Sequence, residues 1–322
     1  MKQYYGTNTA CIFYDAQKST VGAGSDTWFI SCSEGKYVIK YSAGSAINHP
    51  EAEPELCAFL LKNGIPACDF LKNRHGEYLT ADTSGRLFTL QRRYDGITPQ
   101  WHSASETLLT ESAEMLGKIH SVLKDYPKLP EGIGENFFKY MTPQNAIKSY
   151  KTSLETAVCS GDKKIIGDLK WRIDFTARLP DWKFDLDKLT LGNTHGDYFI
   201  SQFLCKNGHL NAVIDWTTAC VHPVIWEITR SFVYGAQCCA DGKIDEGLLE
   251  NYLKAYSRYS ALNDYDLENP YRLYFYQIAV CDYCGQYFSS RSDNREIYLK
   301  QAEFATLLLK ETADTMLKTG RI

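Results

Sequence analysis

This sequence lacks the runs that would tie a chain to a membrane, a nucleic acid or an oxidising compartment. No segment approaches the ~20 uninterrupted apolar residues that a bilayer span needs. The opening "MKQYYGTNTACIFYD" has no apolar stretch of the signal-peptide kind. Net charge is −4 and no basic run is longer than Arg92-Arg93, so there is no concentrated positive surface for neutralising phosphates and no cationic amphipathic helix for anionic lipid. A metal cage is missing too. Among 11 cysteines, Cys281 and Cys284 form a CxxC within the aromatic, helical "YRLYFYQIAVCDYCGQYF", and no second CxxC or spaced histidine pair completes a zinc site. The expectation is a cytoplasmic protein with reduced, mostly buried thiols and neither nucleic acid nor membrane as partner. Its oligomeric state is not written in the sequence.

What is present is enough apolar material for two lobes: 322 residues, 44% of them hydrophobic. The first ninety or so residues read as strand-rich. "TWFISCS" and "KYVIKY" are β-branched and aromatic runs joined at Glu34-Gly35, the spacing of a tight hairpin. A helix follows in "PEAEPELCAFLLKN", with Pro50 near its start and Gly64 as its stop. "EYLT" and "RLFTLQRRY" then flank a turn-rich "ADTSG", for an inventory of five strands and one helix. After "YDG" the period changes. "ASETLLTESAEMLGKIHSVL" puts Leu108, Leu109, Ala113, Leu116, Ile119 and Leu123 on one helical face. Further helices are predicted over 144–158, 163–179, 223–234, 247–259, 270–288 and 295–318. The reading is therefore α+β, with residues 1–93 as a small β-rich lobe and 94–322 as a larger, mostly helical one.

Chemistry concentrates in the single β-rich island of the second half, "TLGNTHGDYFISQFLCKNGHLNAVIDW". His195-Gly196-Asp197 is followed five residues later by Gln202, then by a hairpin turning at "KNGH" and an apolar strand that Asp215 ends. Two strands ending on one side bring Asp197, Gln202 and Asp215 towards one point. Phosphoryl transfer needs such a point: a carboxylate to orient and accept from a hydroxyl, and oxygen ligands for Mg2+ bridging nucleotide phosphates. The first half supplies a cation at the end of "YVIK", Lys40, with Glu53 or Glu55 on the next helix to hold it. Glu53 is preferred because it stands thirteen residues before Pro66 in "GIPACDF". "VGAGSDTW", with Gly22, Gly24 and Ser25, has the backbone freedom to fold over phosphates.

In that order along the chain, "GSDTWFISCSEGKYVIKYS", "PELCAFLLKNGIP", "LQRRYDG", "LGKIHSVL", "THGDYFISQ", "VIDW" and "HPVIWEITRSF" resemble the aminoglycoside phosphotransferase and choline kinase-like superfamily. The resemblance implies a bilobal protein-kinase-like fold with ATP or GTP between the lobes and Mg2+ as the ion. On matching positions it makes Asp197 the catalytic base, Asp215 and Gln202 metal ligands, and Lys40 the phosphate-contacting lysine with Glu53 as its partner. Ser25 falls in the phosphate loop, and backbone groups of Arg92 and Tyr94 fall where the family's hinge meets adenine. His195 and Glu227 support the loop, Glu227 standing where the family usually has an aspartate. Two positions depart from the pattern: Phe199 stands where histidine is common, and Gln202 replaces asparagine, keeping its amide oxygen on a chain one methylene longer.

The function so implied is a kinase for a small-molecule hydroxyl: an antibiotic, amino alcohol, choline-like cation, sugar or nucleoside. "DYCGQYF", "RYSALNDYD" and the stretch between Pro127 and Leu189 are the segments expected to line its acceptor pocket. One alternative is a protein Ser/Thr kinase of the stress-response type. Only seven residues separate Asp215 from Pro223, however, too few for an extended peptide platform. The other is a catalytically weak nucleotide-binding protein like the spore-coat relatives, against which stands the joint retention of Lys40, Asp197 and Asp215.

Overall fold

The computed structural model describes residues 5, 12–19, 26–41, 51–179, 185–290 and 295–319. The loop glycines and Ser25 singled out above lie outside that set. The branched and aromatic runs near the start form β1 (Phe13–Lys18), β2 (Thr27–Cys32) and β3 (Gly35–Tyr41), each antiparallel to the next. Between β3 and the next strands lies α1 (Ala52–Lys62). Short β4 (Phe70–Leu71) and β5 (Leu79–Ala81) both pair with β6 (Leu87–Arg92), giving an antiparallel sheet ordered β1-β2-β3-β6-β4 with β5 also on β6. The sheet has six strands rather than five. The extra one, β4, is two residues long, too short for alternation to reveal. Phe88 to Gln91 are all buried, as in a strand covered on both faces.

Helical spacing decides which side of α1 faces inward. Glu53, Leu56, Cys57 and Leu60 are buried at i, i+3, i+4 and i+7, whereas Glu55 is exposed. Gly64 ends the helix in left-handed backbone, φ +79°, and the chain turns so that Pro66 accepts the Val213 N–H at 2.8 Å. The sheet region is thereby stitched to the end of the strand that leads to Asp215.

The rest is mostly helical. α2 (Glu106–Leu123), capped by the Ser105 hydroxyl, buries the six apolar residues its period predicts. After it come α3 (Glu135–Tyr140), α4 (Pro143–Ser160) and α5 (Lys163–Thr176). β7 (Leu191–Thr194) leads into the island, where β8 (Phe203–Lys206) and β9 (His209–Val213) form a hairpin and β10 (Cys220–Pro223) returns to pair with β7. α6 (Val224–Gly235) is buried along its whole length. α7 (Glu246–Ser257), α8 (Asp264–Glu268), α9 (Arg272–Val280), α10 (Tyr283–Ser289) and α11 (Arg295–Thr319) complete the chain. One hydrophobic core runs from α1 and β4 through α2 and the island to α6, α7 and α9.

The single helix expected over 270–288 is broken in two. Tyr150 on α4 donates its hydroxyl to the carbonyls of Ala279 and Cys281 at 2.6 and 3.2 Å, taking up the oxygens that the end of α9 leaves free. Asp282 then caps α10, accepting the Gly285 N–H at 2.7 Å. Aromatic periodicity continues through the break, so the sequence pattern did not reveal it.

Candidate active site

Lys40 leaves β3 beneath α1, where its Nζ lies 3.3 Å from both carboxylate oxygens of Glu53 and 2.8 Å from Asp215 Oδ1. Its side chain is only 17% exposed. Burial alone would lower its pKa, but the two carboxylates outweigh that and hold the ammonium above the ordinary lysine value. Glu53 also braces the backbone, because its Oε1 accepts the Trp216 N–H at 3.1 Å and so fixes the chain just past Asp215. Burial dominates at Glu53 and raises its pKa, against the pull of Lys40. At Asp215 burial is outweighed by Lys40 and by the Thr217 hydroxyl, so this carboxyl sits below the usual range. Asp215 itself is in left-handed backbone, φ +63°, uncommon for a residue with a side chain. Lys40, Thr217 and the Glu53–Trp216 bond hold it there.

The loop carrying Asp197 is held by its backbone. Glu227, fully buried at the start of α6, accepts the N–H of Gly196 at 2.6 Å with Oε1 and that of His195 at 3.3 Å with Oε2. His120 of α2 donates to Oε2 at 2.9 Å and takes the Tyr256 hydroxyl on its other nitrogen, so α2 directly and α7 through it brace the carboxylate that α6 carries. Burial works most strongly against that charge, but the His120 hydrogen bond together with the nearby imidazoles of His120, His195 and His222 outweighs it, leaving Glu227 below its ordinary pKa. His195 is buried, its Nδ1 accepting the Asp197 N–H and its Nε2 donating to the Ile214 carbonyl at 3.0 Å. Gly196 has no substitute: φ is +79°, and a Cβ would stand 2.0 Å from the Thr218 carbonyl oxygen.

The Asp197 side chain is 31% exposed and is tied at both oxygens. Arg230 Nη2 lies 2.6 Å from Oδ1, and the Gln202 amide nitrogen donates to Oδ2 at 2.8 Å. Gln202 precedes β8, and its carbonyl accepts the Ile214 N–H at 2.9 Å, so the hairpin register sets Gln202 beside the residue before Asp215. Since Gln202 turns its nitrogen to the carboxylate, its amide oxygen carries no hydrogen bond among the described residues; neither does Asp215 Oδ2. Both are hard oxygen donors of the type Mg2+ takes. No group of three His, Cys, Asp or Glu side chains forms a cage among the described residues. An ion held here would draw most of its ligands from phosphate and water, which suits Mg2+ at a nucleotide.

Arg92 and Tyr94 lie where β6 leaves the sheet. The Arg92 N–H is committed to the Asp69 carbonyl at 2.8 Å and that of Arg93 to Lys36, while the Tyr94 N–H has no backbone partner among the described residues. At this exit from the sheet the Arg92 N–H is therefore taken, and the Tyr94 N–H is the one without a backbone partner. Elsewhere, an open hollow of about 660 Å³ lies between α4 and the start of α10, lined by Ser149, Thr152, Ser153, Asp282, Gln286 and Phe288 among others. "DYCGQYF" and the 127–189 stretch both contribute to it, whereas "RYSALNDYD" does not. Two residues that touch Glu227 and Asp197, His120 and Arg230, were not among those the sequence pattern singles out. The only signals were the histidine in "LGKIH" and an arginine one helical turn after Glu227.

No curated protein matches this chain in sequence. Solved structures match its fold along nearly its whole length. Amicoumacin kinase hAmiN, in complex with AMP-PNP, Ca2+ and Ami, is 14% identical, with a TM-score of 0.60 over 95% of this chain and 90% of that one. Choline kinase from Cryptosporidium parvum Iowa II is 12% identical, with a TM-score of 0.60 over 98% and 93%. A microcompartment-associated aminopropanol kinase is 13% identical, with a TM-score of 0.56 over 98% and 95%. The fold is therefore the protein-kinase-like one, an N-terminal antiparallel sheet followed by a mostly helical region. The profile of the APH phosphotransferase enzyme family matches residues 16–271, from the first strand to the start of α9, and the chain belongs to that family.

Proposed function

We propose that this protein transfers the γ-phosphate of ATP or GTP to a hydroxyl group of a small molecule, with residues 1–93 holding the nucleotide and the acceptor meeting it over Asp197. The observation that carries the reading is the pairing of Lys40 with Asp215 at 2.8 Å on the side of the hairpin where Gln202 meets Asp197 at 2.8 Å. A cation for phosphates, reaching in from β3, and a carboxylate for a hydroxyl thus stand at the open end of one hairpin. Lys40 reaches the α- and β-phosphates, held by Glu53, and neutralises charge that builds on the leaving group. Asp197 orients the acceptor hydroxyl towards the γ-phosphate and takes its proton late, since a loose transition state needs alignment more than a strong base. Asp215 and Gln202 would hold Mg2+, which supplies charge neutralisation across the phosphates.

The family and its structural neighbours support a small acceptor: those neighbours are kinases named for an antibiotic, an amino alcohol and choline. The stretch after Asp215 supports it as well. It passes through one short turn, Trp216–Thr218, straight into β10, with no extended segment to seat a peptide. The test is ADP or GDP formation, with Mg2+ present, across a panel of hydroxylated metabolites and antibiotics. At least one acceptor should stimulate the wild type. Asp197→Ala should lower that rate by about 10²–10⁴ while leaving nucleotide affinity largely intact. Acceptor-dependent turnover that survives Asp197→Ala would remove Asp197 from the mechanism. Absence of turnover with every acceptor would favour the coat-type, non-catalytic reading.

A further inference from the structure

Arg230 is the charged side chain that touches Asp197. Its guanidinium carbon lies 4.4 Å from the Phe199 ring centre, 5.4 Å from that of Tyr234 and 5.7 Å from that of Trp226. The side chain is 10% exposed, and Nη1 is buried without a hydrogen-bond partner. A guanidinium stripped of water and boxed by rings is costly unless it is paired, and among the described residues its ion pair is with Asp197. Arg230 also sits one turn beyond Glu227 on α6, a helix buried throughout. One helix face therefore grips the loop twice, by its backbone through Glu227 and by its acid through Arg230. Gln202 holds the second oxygen, so the plane of the carboxylate is fixed at two points.

We infer that Arg230 is a positioning residue for phosphoryl transfer, acting on the reaction only through the direction in which it holds the Asp197 carboxylate. The inference rests on the reading of Asp197 as the group that orients the acceptor. Transfer to a hydroxyl depends on alignment, and displacement of a reacting group by about 1 Å costs on the order of a hundredfold in rate. A ring-packed arginine on a buried helix keeps that alignment better than a solvated lysine would.

The test uses the full chain with Mg2+ and ATP, water serving as acceptor, and reads phosphate release. Arg230→Met keeps a linear side chain against the rings and removes the charge. It should lower kcat by about 10- to 100-fold with KM for ATP changed less than about twofold. Arg230→Lys should fall between that variant and the wild type, because it restores the charge without the planar fork. In an Asp197→Ala background, Arg230→Met should add less than about twofold. Equal losses in both backgrounds, or a change confined to KM, would overturn the inference while leaving Asp197 in place. Identical release by the wild type and Asp197→Ala would remove the reading of Asp197 and the inference with it. Should Arg230→Met fail to fold in a thermal melt, Arg230→Lys decides alone: a drop in kcat that disappears in the Asp197→Ala background supports the proposal, and no drop overturns it.

Discussion

Gly196 sets the strictest requirement at the residue scale. Its left-handed backbone and the Thr218 carbonyl 2.0 Å from any added Cβ leave no room for a side chain. Gly196→Ala should cost at least about 2 kcal/mol, visible as a lower melting temperature, and should also remove activity because Asp197 is the next residue. His222 carries a different prediction. Burial drives its pKa from 6.5 down to about 4 while Nδ1 accepts the Ile133 N–H at 2.6 Å. Between those values the unfolded chain binds a proton that the folded one refuses, so stability rises with pH and is lost as pH falls from about 6.5 to 4. At ~1.4 kcal/mol per unit, the loss approaches roughly 3 kcal/mol. His222→Asn should flatten that part of the stability curve; an equal slope in the variant would assign the loss to other groups. Lys40, Asp197 and Asp215 were legible because each ends or follows a strand pattern in the chain itself. His120 was not, since its partner Glu227 is 107 residues away and nothing around the histidine marks it locally.

At the scale of elements, the β8–β9 hairpin couples Asp197 to Asp215. Gln202 ties to the strand that leads to Asp215 by its backbone and to Asp197 by its side chain. Gln202→Leu removes both the amide donor and the amide oxygen, so kcat should fall and the Mg2+ concentration for half-maximal rate should rise. Gln202→Asn should be partly tolerated, its oxygen reaching the ion through a water. Titrating activity against Mg2+ separates the donor's role from the oxygen's, since lower kcat at unchanged metal dependence would leave Gln202 with only its hold on Asp197. The α1 face gives a companion prediction. Glu53→Gln keeps an acceptor for the Trp216 N–H but loses a charge 3.3 Å from Lys40, and ATP affinity should drop on the order of tenfold. The spacing before Pro66 pointed to Glu53, and it is Glu53 that meets Lys40, while Glu55 lies on the outer face. The break between α9 and α10 was hidden because its cause, the Tyr150 hydroxyl, belongs to a helix far earlier in the chain.

Across the whole molecule, the sheet region and the helical region meet at Lys40–Asp215, Glu53–Trp216 and Pro66–Val213. No described helix is long and apolar enough to cross a membrane. A nucleotide bound over Lys40 would add to these ties, and with Mg2+ it should stabilise the fold by about 2.7 kcal/mol at a hundred times its Kd, read as a rise in melting temperature that Lys40→Ala reduces. The overall architecture was legible because a change from strand to helix periodicity near residue 93 is a property of long stretches. The hollow between α4 and α10 was legible only in part, since two of the expected segments, "DYCGQYF" and 127–189, line it and "RYSALNDYD" does not. Transfer of the γ-phosphate to a small hydroxylated acceptor, directed by Asp197, is what we propose for the whole molecule. The most direct measurement follows label from γ-labelled ATP into small molecules separated from the protein. The wild type should yield labelled acceptor, and Asp197→Ala should lose about 10²-fold or more of it. Label found only in inorganic phosphate or on protein, or appearing equally with Asp197→Ala, would contradict it.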